Sequence, residues 1–192
     1  MNTHTRLGTR VGRRLAQGGV ATAAAASAGL LAVAMATGVE AGTPTAVSRG
    51  EVSHLDNSVV HAFDAASAQV TLASSAAGAT ATLHVWGVSP DVSGSRFGAH
   101  LHNGPCVAGS GGAAGGHYNS DAASGQSPVR VSDDTEVWLD FTVNEEGRGA
   151  ATAVVPFTPV PGTRSVVIHA QQTDHLTGLA GARVACLPVV WQ

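Results

Sequence analysis

His100 and His102 stand two residues apart in Phe97-Gly98-Ala99-His100-Leu101-His102. On an extended strand that spacing turns both imidazoles to one face, about 7 Å apart at the backbone, so both rings reach one metal ion. Taken alone, a His-x-His pair describes a solvated polar face equally well. His117 follows in Gly115-Gly116-His117-Tyr118-Asn119, and His169 closes the apolar run Val166-Val167-Ile168. A single histidine ending a strand is most often a hydrogen-bonded structural residue, but four imidazoles together are also a donor set for a transition-metal ion. Two cysteines, Cys106 and Cys186, and an arginine three residues before the second, Arg183, lie among these segments.

The elements that must position these side chains read as strands. From Val59 onward, short β-rich runs alternate with Gly, Pro, Ser, Asn and Asp, and eight strand starts fall near Val59, Gln69, Ala79, Arg96, Glu136, Ala150, Arg164 and Arg183. The third is the clearest, with Ala79, Ala81, Leu83 and Val85 on one face and Thr80, Thr82, His84 and Trp86 on the other. Eight such strands predict an all-β antiparallel sandwich or Greek-key barrel. Residues 58–192 form the predicted domain, and 42–57, without sustained period, read as a linker or frayed start. Val107 to Pro128 is a long Gly- and Ser-rich loop of the kind that carries function.

Residues 1–41 read as a secretory signal peptide: Arg6, Arg10, Arg13 and Arg14 precede an uncharged, Ala-rich run from Val20 to Ala36. Small residues gain little from hydrocarbon, so a retained membrane span is the weaker reading. Cleavage fits after Ala34-Met35-Ala36 or Val39-Glu40-Ala41. Arg13-Arg14 alone is thin support for a twin-arginine route, and no cysteine follows the run to take a lipid. In an exported chain an even number of cysteines points to a bridge, two buried thiols being the alternative. After Ala41 the chain has six arginines, no lysine and twelve acids, a formal charge of −6, which disfavours nucleic acid as a partner.

Four segments together resemble the copper/zinc superoxide dismutase family. Gly98-Ala99-His100-Leu101-His102-Asn103-Gly104-Pro105-Cys106 is similar to its paired copper histidines and first disulfide cysteine, and Gly116-His117-Tyr118-Asn119 to the segment with the copper–zinc bridging histidine. Arg164 to Ala170 resembles the strand with the fourth copper ligand, His169. Gly181-Ala182-Arg183-Val184-Ala185-Cys186 resembles the ending that supplies the active-site arginine and second cysteine. The resemblance implies an eight-stranded Greek-key barrel and copper held by His100, His102, His117 and His169. It also implies a Cys106–Cys186 bridge pinning the Gly-rich loop, with superoxide as substrate, converted to oxygen and peroxide. His117 would release copper and take up a proton during turnover, and Arg183 would orient the anion.

The departures are as informative. The family's zinc needs two further histidines and an aspartate after the bridging one, yet Tyr118 to Asp140 contains no histidine. His117 with Asp133 cannot complete a tetrahedral site, so no stable zinc is expected. Some acceptor must then fix the far nitrogen of His117, with Asp133, Asp134, Glu136 and Asp174 as candidates. His54, His61, His84 and His175 read as surface residues. Ten residues separate Cys106 from His117 and only thirteen separate His169 from Arg183; both spacings resemble the family's copper-only branch, and few cations remain to steer an anion. The expectation is an exported copper-dependent superoxide dismutase. The alternative is a dismutase-like protein that sequesters or delivers copper with little turnover. A metal-free adhesion barrel gives no reason for the four histidines.

Overall fold

In the computed structural model the residues described are 44–55 and 61–191. Chain segments rich in Val, Thr and Ala with turn residues between them form ten strands, because β-branched side chains fill a pleated, half-buried surface. They are β1 (Pro44–Glu51), β2 (Ser53–His54), β3 (Ser67–Ser75), β4 (Gly78–Trp86), β5 (Arg96–Phe97), β6 (Ala99–His102), β7 (Phe141–Thr142), β8 (Gly149–Val155), β9 (Gly162–His169) and β10 (Arg183–Trp191). One sheet has the order β1-β3-β4-β8, the other β2-β10-β9-β6, and β5 and β7 make a short ladder. All pairings are antiparallel, as the all-β reading requires. Among the described residues helix is confined to the single turn α1 (Ser120–Ala123) and three 3-10 turns. None is long and apolar enough to cross a membrane among the described residues.

The strand count corrects the expected eight. Pro44–Glu51, read as linker or frayed start, is a full strand registered along β3 from Pro44↔Ala73 to Glu51↔Ser67. The extended run expected from Glu136 is regular only at β7. Before it, residues 137–139 lie along β6 with Trp138 opposite His100, and Glu136 is bridged to Asn119 on the segment beside it. The start near Val59, and the whole signal segment 1–41, lie outside the described residues.

Between the sheets lies a core of Val70, Leu72, Leu83, Val85, Leu101, Ile168 and Leu187. Phe63 is fully buried and meets Phe97 edge-on at 5.0 Å and Phe141 at 6.4 Å, a favoured aromatic geometry. In β4 the predicted alternation holds: Ala79, Ala81, Leu83 and Val85 are buried, and the intervening residues are not.

β9 departs from alternation, since Ser165 to His169 are all buried. Val166 and Ile168 face the core. On the opposite face Val167 packs with Leu55, Ala114 and Cys186 under the loop that follows β6. That covered outer face of the second sheet is where the chemistry sits.

Candidate metal centre

Register assembles the site. In antiparallel sheets directly opposed residues share a face, and β6 sets His100 against Val167 and His102 against Ser165. Both imidazoles therefore stand on the outer face, while Ala99 and Leu101 turn inward. His169, two residues beyond Val167, shares that face. Across the next strand pair Arg183 opposes His169. On the free edge of β6 His117 bridges to His102, and Tyr118 donates its N–H to the Leu101 carbonyl at 2.7 Å.

Arg183 and Cys186 would point to opposite faces of a regular strand, being three residues apart. The β9–β10 register shifts between Arg183 and Ala185, so that Ala185 meets Ile168 and Cys186 meets Val167. This bulge inserts one residue and returns Cys186 to the outer face beside the site. There it bonds Cys106, with the Cα atoms 5.6 Å apart.

One ring nitrogen from each of His100, His102, His117 and His169 lies within 4.8 Å of the other three. His102 Nδ1–H donates to the Gly115 carbonyl at 3.1 Å and His169 Nδ1–H to the Gly181 carbonyl at 3.2 Å. Both rings thus keep a lone pair on Nε2, and these two nitrogens face each other at 3.3 Å. Two lone pairs so placed repel unless a cation stands beside them. His100 Nδ1 is buried with no hydrogen-bond partner. These inward-facing lone pairs fit a metal ion, and four imidazoles are a donor set suited to copper.

Electrostatics agree with that fit. Burial, reinforced by the neighbouring rings, pushes the His100 pKa far down from its ordinary value. Burial likewise lowers His102 to about 3 and His169 to about 4, with the Arg183 charge adding to both. All three rings are neutral at pH 7 and free to ligate.

His117 is held differently. Its Nδ1–H donates to Glu136 Oε2 at 2.8 Å. Burial raises the Glu136 pKa, but hydrogen bonds from His117, Trp138 and Asn119 outweigh it, leaving a net lowering. Trp138 Nε1–H donates to Oε2 at 2.9 Å and Asn119 Nδ2 to Oε1 at 3.1 Å. Of the four candidate carboxylates, Glu136 is the one that meets His117. Asp174 instead accepts from the N–H groups of Leu176 and Thr177, and Asp133 and Asp134 are exposed on a turn. Asp121 takes a bidentate bond from Arg130, at 2.8 and 3.0 Å.

Arg183 donates from Nη1 to the Gly111 carbonyl at 2.6 Å. It lines an open hollow of about 570 Å³ with Leu55, Gly111, Gly112, Gly115 and Gly116. The spare histidines stay outside the cluster. His54 and His61 flank Asp64, and His175 lies 5.7 Å from the Trp138 ring. His84 lines a separate hollow of about 540 Å³ with Arg49, Trp86 and Arg148, which contains none of the four clustered histidines.

Sequence reasoning missed Asp140 and Thr173, which meet at His100. The one signal for Asp140 is a lone acid inside the apolar run Val137-Trp138-Leu139-Asp140-Phe141. Nothing in the sequence marks Thr173.

An antiparallel β-barrel with a four-imidazole pocket on the covered outer face of one sheet defines a class of metal-binding barrel proteins. The family model of copper/zinc superoxide dismutase (SODC) matches residues 66–188, and the chain belongs to that family. No curated relative matches it.

Proposed function

We propose that this chain is a copper-dependent superoxide dismutase that works without zinc outside the cytoplasm, its catalytic domain comprising residues 58–192 together with the strands β1 and β2 that precede them in the two sheets. The observation that carries the reading is the convergence of four imidazoles with their lone pairs turned inward, beside an arginine opposite His169. His100 through Nδ1, and His102, His117 and His169 through Nε2, would hold the ion. Copper, when bound, supplies one-electron chemistry between its two oxidation states, one superoxide leaving as oxygen and another as peroxide.

The chain's own groups do the rest. Arg183 is a permanent cation whose guanidinium is anchored at one nitrogen by the Gly111 carbonyl. Its other N–H groups remain available to bind a small anion by charge-assisted hydrogen bonds. His117 is the most exposed of the four ring side chains, at 19% against 0% for His100. Its Nδ1–H is held on the Glu136 carboxylate at 2.8 Å, which fixes the ring's orientation and leaves Nε2 as the nitrogen that would meet the ion.

The same hydrogen bond supports a zinc-free centre. The ring nitrogen that would reach a second metal is satisfied by Glu136, and Asp121 is bound by Arg130. Export is supported by the basic and apolar N-terminal segments and by a disulfide in a chain with no free cysteine.

Metal analysis of the purified protein beside its superoxide turnover tests the reading. One copper per chain, no zinc and rapid turnover are expected. Copper without turnover would mark a copper carrier, and a stoichiometric zinc would overturn the copper-only assignment. N-terminal sequencing of the secreted form should begin after Ala36 or Ala41.

A further inference from the structure

One side of the imidazole cluster is held by groups outside the four histidines. Thr173 is 3% exposed, and its Oγ1 lies 2.6 Å from Asp140 Oδ1 and 2.7 Å from His100 Nε2. The Thr173 backbone N–H donates to Asp140 Oδ2 at 2.9 Å, and the Ala99 N–H to Oδ1 at 3.3 Å. One carboxylate thus grips both the strand that carries His100 and the loop after β9.

The protons in this chain of contacts have one consistent arrangement. An ionised carboxylate only accepts, and a hydroxyl has a single proton to give. Asp140 takes that proton at 2.6 Å, so Thr173 Oγ1 has only lone pairs left for the ring. His100 must then carry its hydrogen on Nε2, which leaves the lone pair on Nδ1. Nδ1 is the ring atom that is buried without a partner. His102 and His169 use the opposite arrangement, because backbone carbonyls take their Nδ1–H groups.

The backbone leaves room for this approach at Gly98. A Cβ on Gly98 would come within 2.9 Å of Thr173 Oγ1 and 2.7 Å of the Ala180 Cβ. A bare glycine there lets the loop after β9 descend onto His100.

We propose that Thr173 and Asp140 are positioning residues of the metal centre: together they set the protonation pattern of His100 so that it ligates through Nδ1, and they tie this ligand to the 170–181 loop. The proposal rests on the copper reading above for its functional meaning, but the proton arrangement is measurable without metal.

The test is long-range ¹H–¹⁵N NMR of the metal-free protein with labelled histidine, together with copper affinity by chelator competition. The wild type should show His100 protonated on Nε2 and bare on Nδ1. Thr173→Val keeps the branched shape and removes the hydroxyl. It should lose the hydrogen-bonded Nε2–H signal and bind copper about 10- to 100-fold more weakly, the usual penalty for losing a group that orients a ligand. Thr173→Ser should restore both. A wild-type His100 carrying its proton on Nδ1 overturns the proposal whatever the variants do. So does a Thr173→Val protein with unchanged copper affinity and an unchanged ring signal. If the wild type shows the assigned proton pattern but takes up no copper, the copper reading fails while the relay stands.

Discussion

At the scale of single residues, the centre divides its work between groups that face the metal position and groups that hold them. Arg183 belongs to neither set: it ligates nothing, and its anchor is a backbone carbonyl. Arg183→Ala should therefore leave copper content unchanged and lower superoxide turnover about 10- to 100-fold. That is the size of a lost charge-assisted hydrogen bond of about 1.5–3 kcal/mol, read by pulse radiolysis beside metal analysis. Equal loss of copper and activity would make Arg183 structural. Glu136 has the reverse signature. Glu136→Ala strands the donors of His117, Trp138 and Asn119 and should weaken copper binding about 10- to 100-fold, with Glu136→Gln closer to wild type. A chelator competition showing both variants at wild-type affinity would remove Glu136 from the site.

At the scale of elements, the covalent tie between the Cys106 loop and β10 spans 80 residues of sequence. Chain-entropy reasoning gives such a closure about 4.5 kcal/mol of stability. The Cys106→Ser/Cys186→Ser pair should lower the melting temperature by about 10–18 °C for a chain of this size, measured by calorimetry. A shift under a few degrees would mean that the outer layer of Leu55, Ala114 and Val167 holds the loop unaided. The elements also show where the sequence was legible. β4 and β9 announced themselves through Leu83, Val85, Val166 and Ile168, large apolar residues at the positions that became core. β1 did not, because its pattern is inverted: Ala46, Ser48 and Gly50 lie on the less exposed face, while Val47 stands 60% exposed. The four histidines and two cysteines were readable from type and motif. The bulge between Arg183 and Ala185 was not, since nothing local distinguishes it from regular strand, and yet it decides which face Cys186 occupies. Thr173 escaped for a related reason, being an ordinary loop threonine until Asp140 arrives from 33 residues away.

For the molecule as a whole, the neutral imidazoles tie folding to pH. In the folded state His102 and His169 protonate only near 3 and 4, because burial disfavours their charge, against an ordinary value of 6.5. Below pH 6.5 the unfolded chain therefore binds more protons than the folded one, and stability falls with acidification. The contribution is fully present above 6.5 and is lost progressively as pH drops towards 4 and then 3. The urea midpoint of the metal-free protein should be lower at pH 5 than at pH 7.5, whereas equal midpoints would contradict the burial of these rings. Copper loading should flatten the dependence until acid displaces the ion.

The Asp121–Arg130 pair, with Asn119 capping α1 and reaching the Arg130 carbonyl at 2.6 Å, closes the stretch from 119 to 136 by organic bonds alone. None of these bonds needs an ion, so the floor beneath Glu136 should survive removal of copper. Filling the site becomes a docking event instead of a folding event, so a chelator that strips the ion should leave behind a ready receptacle, refillable without passing through denaturation.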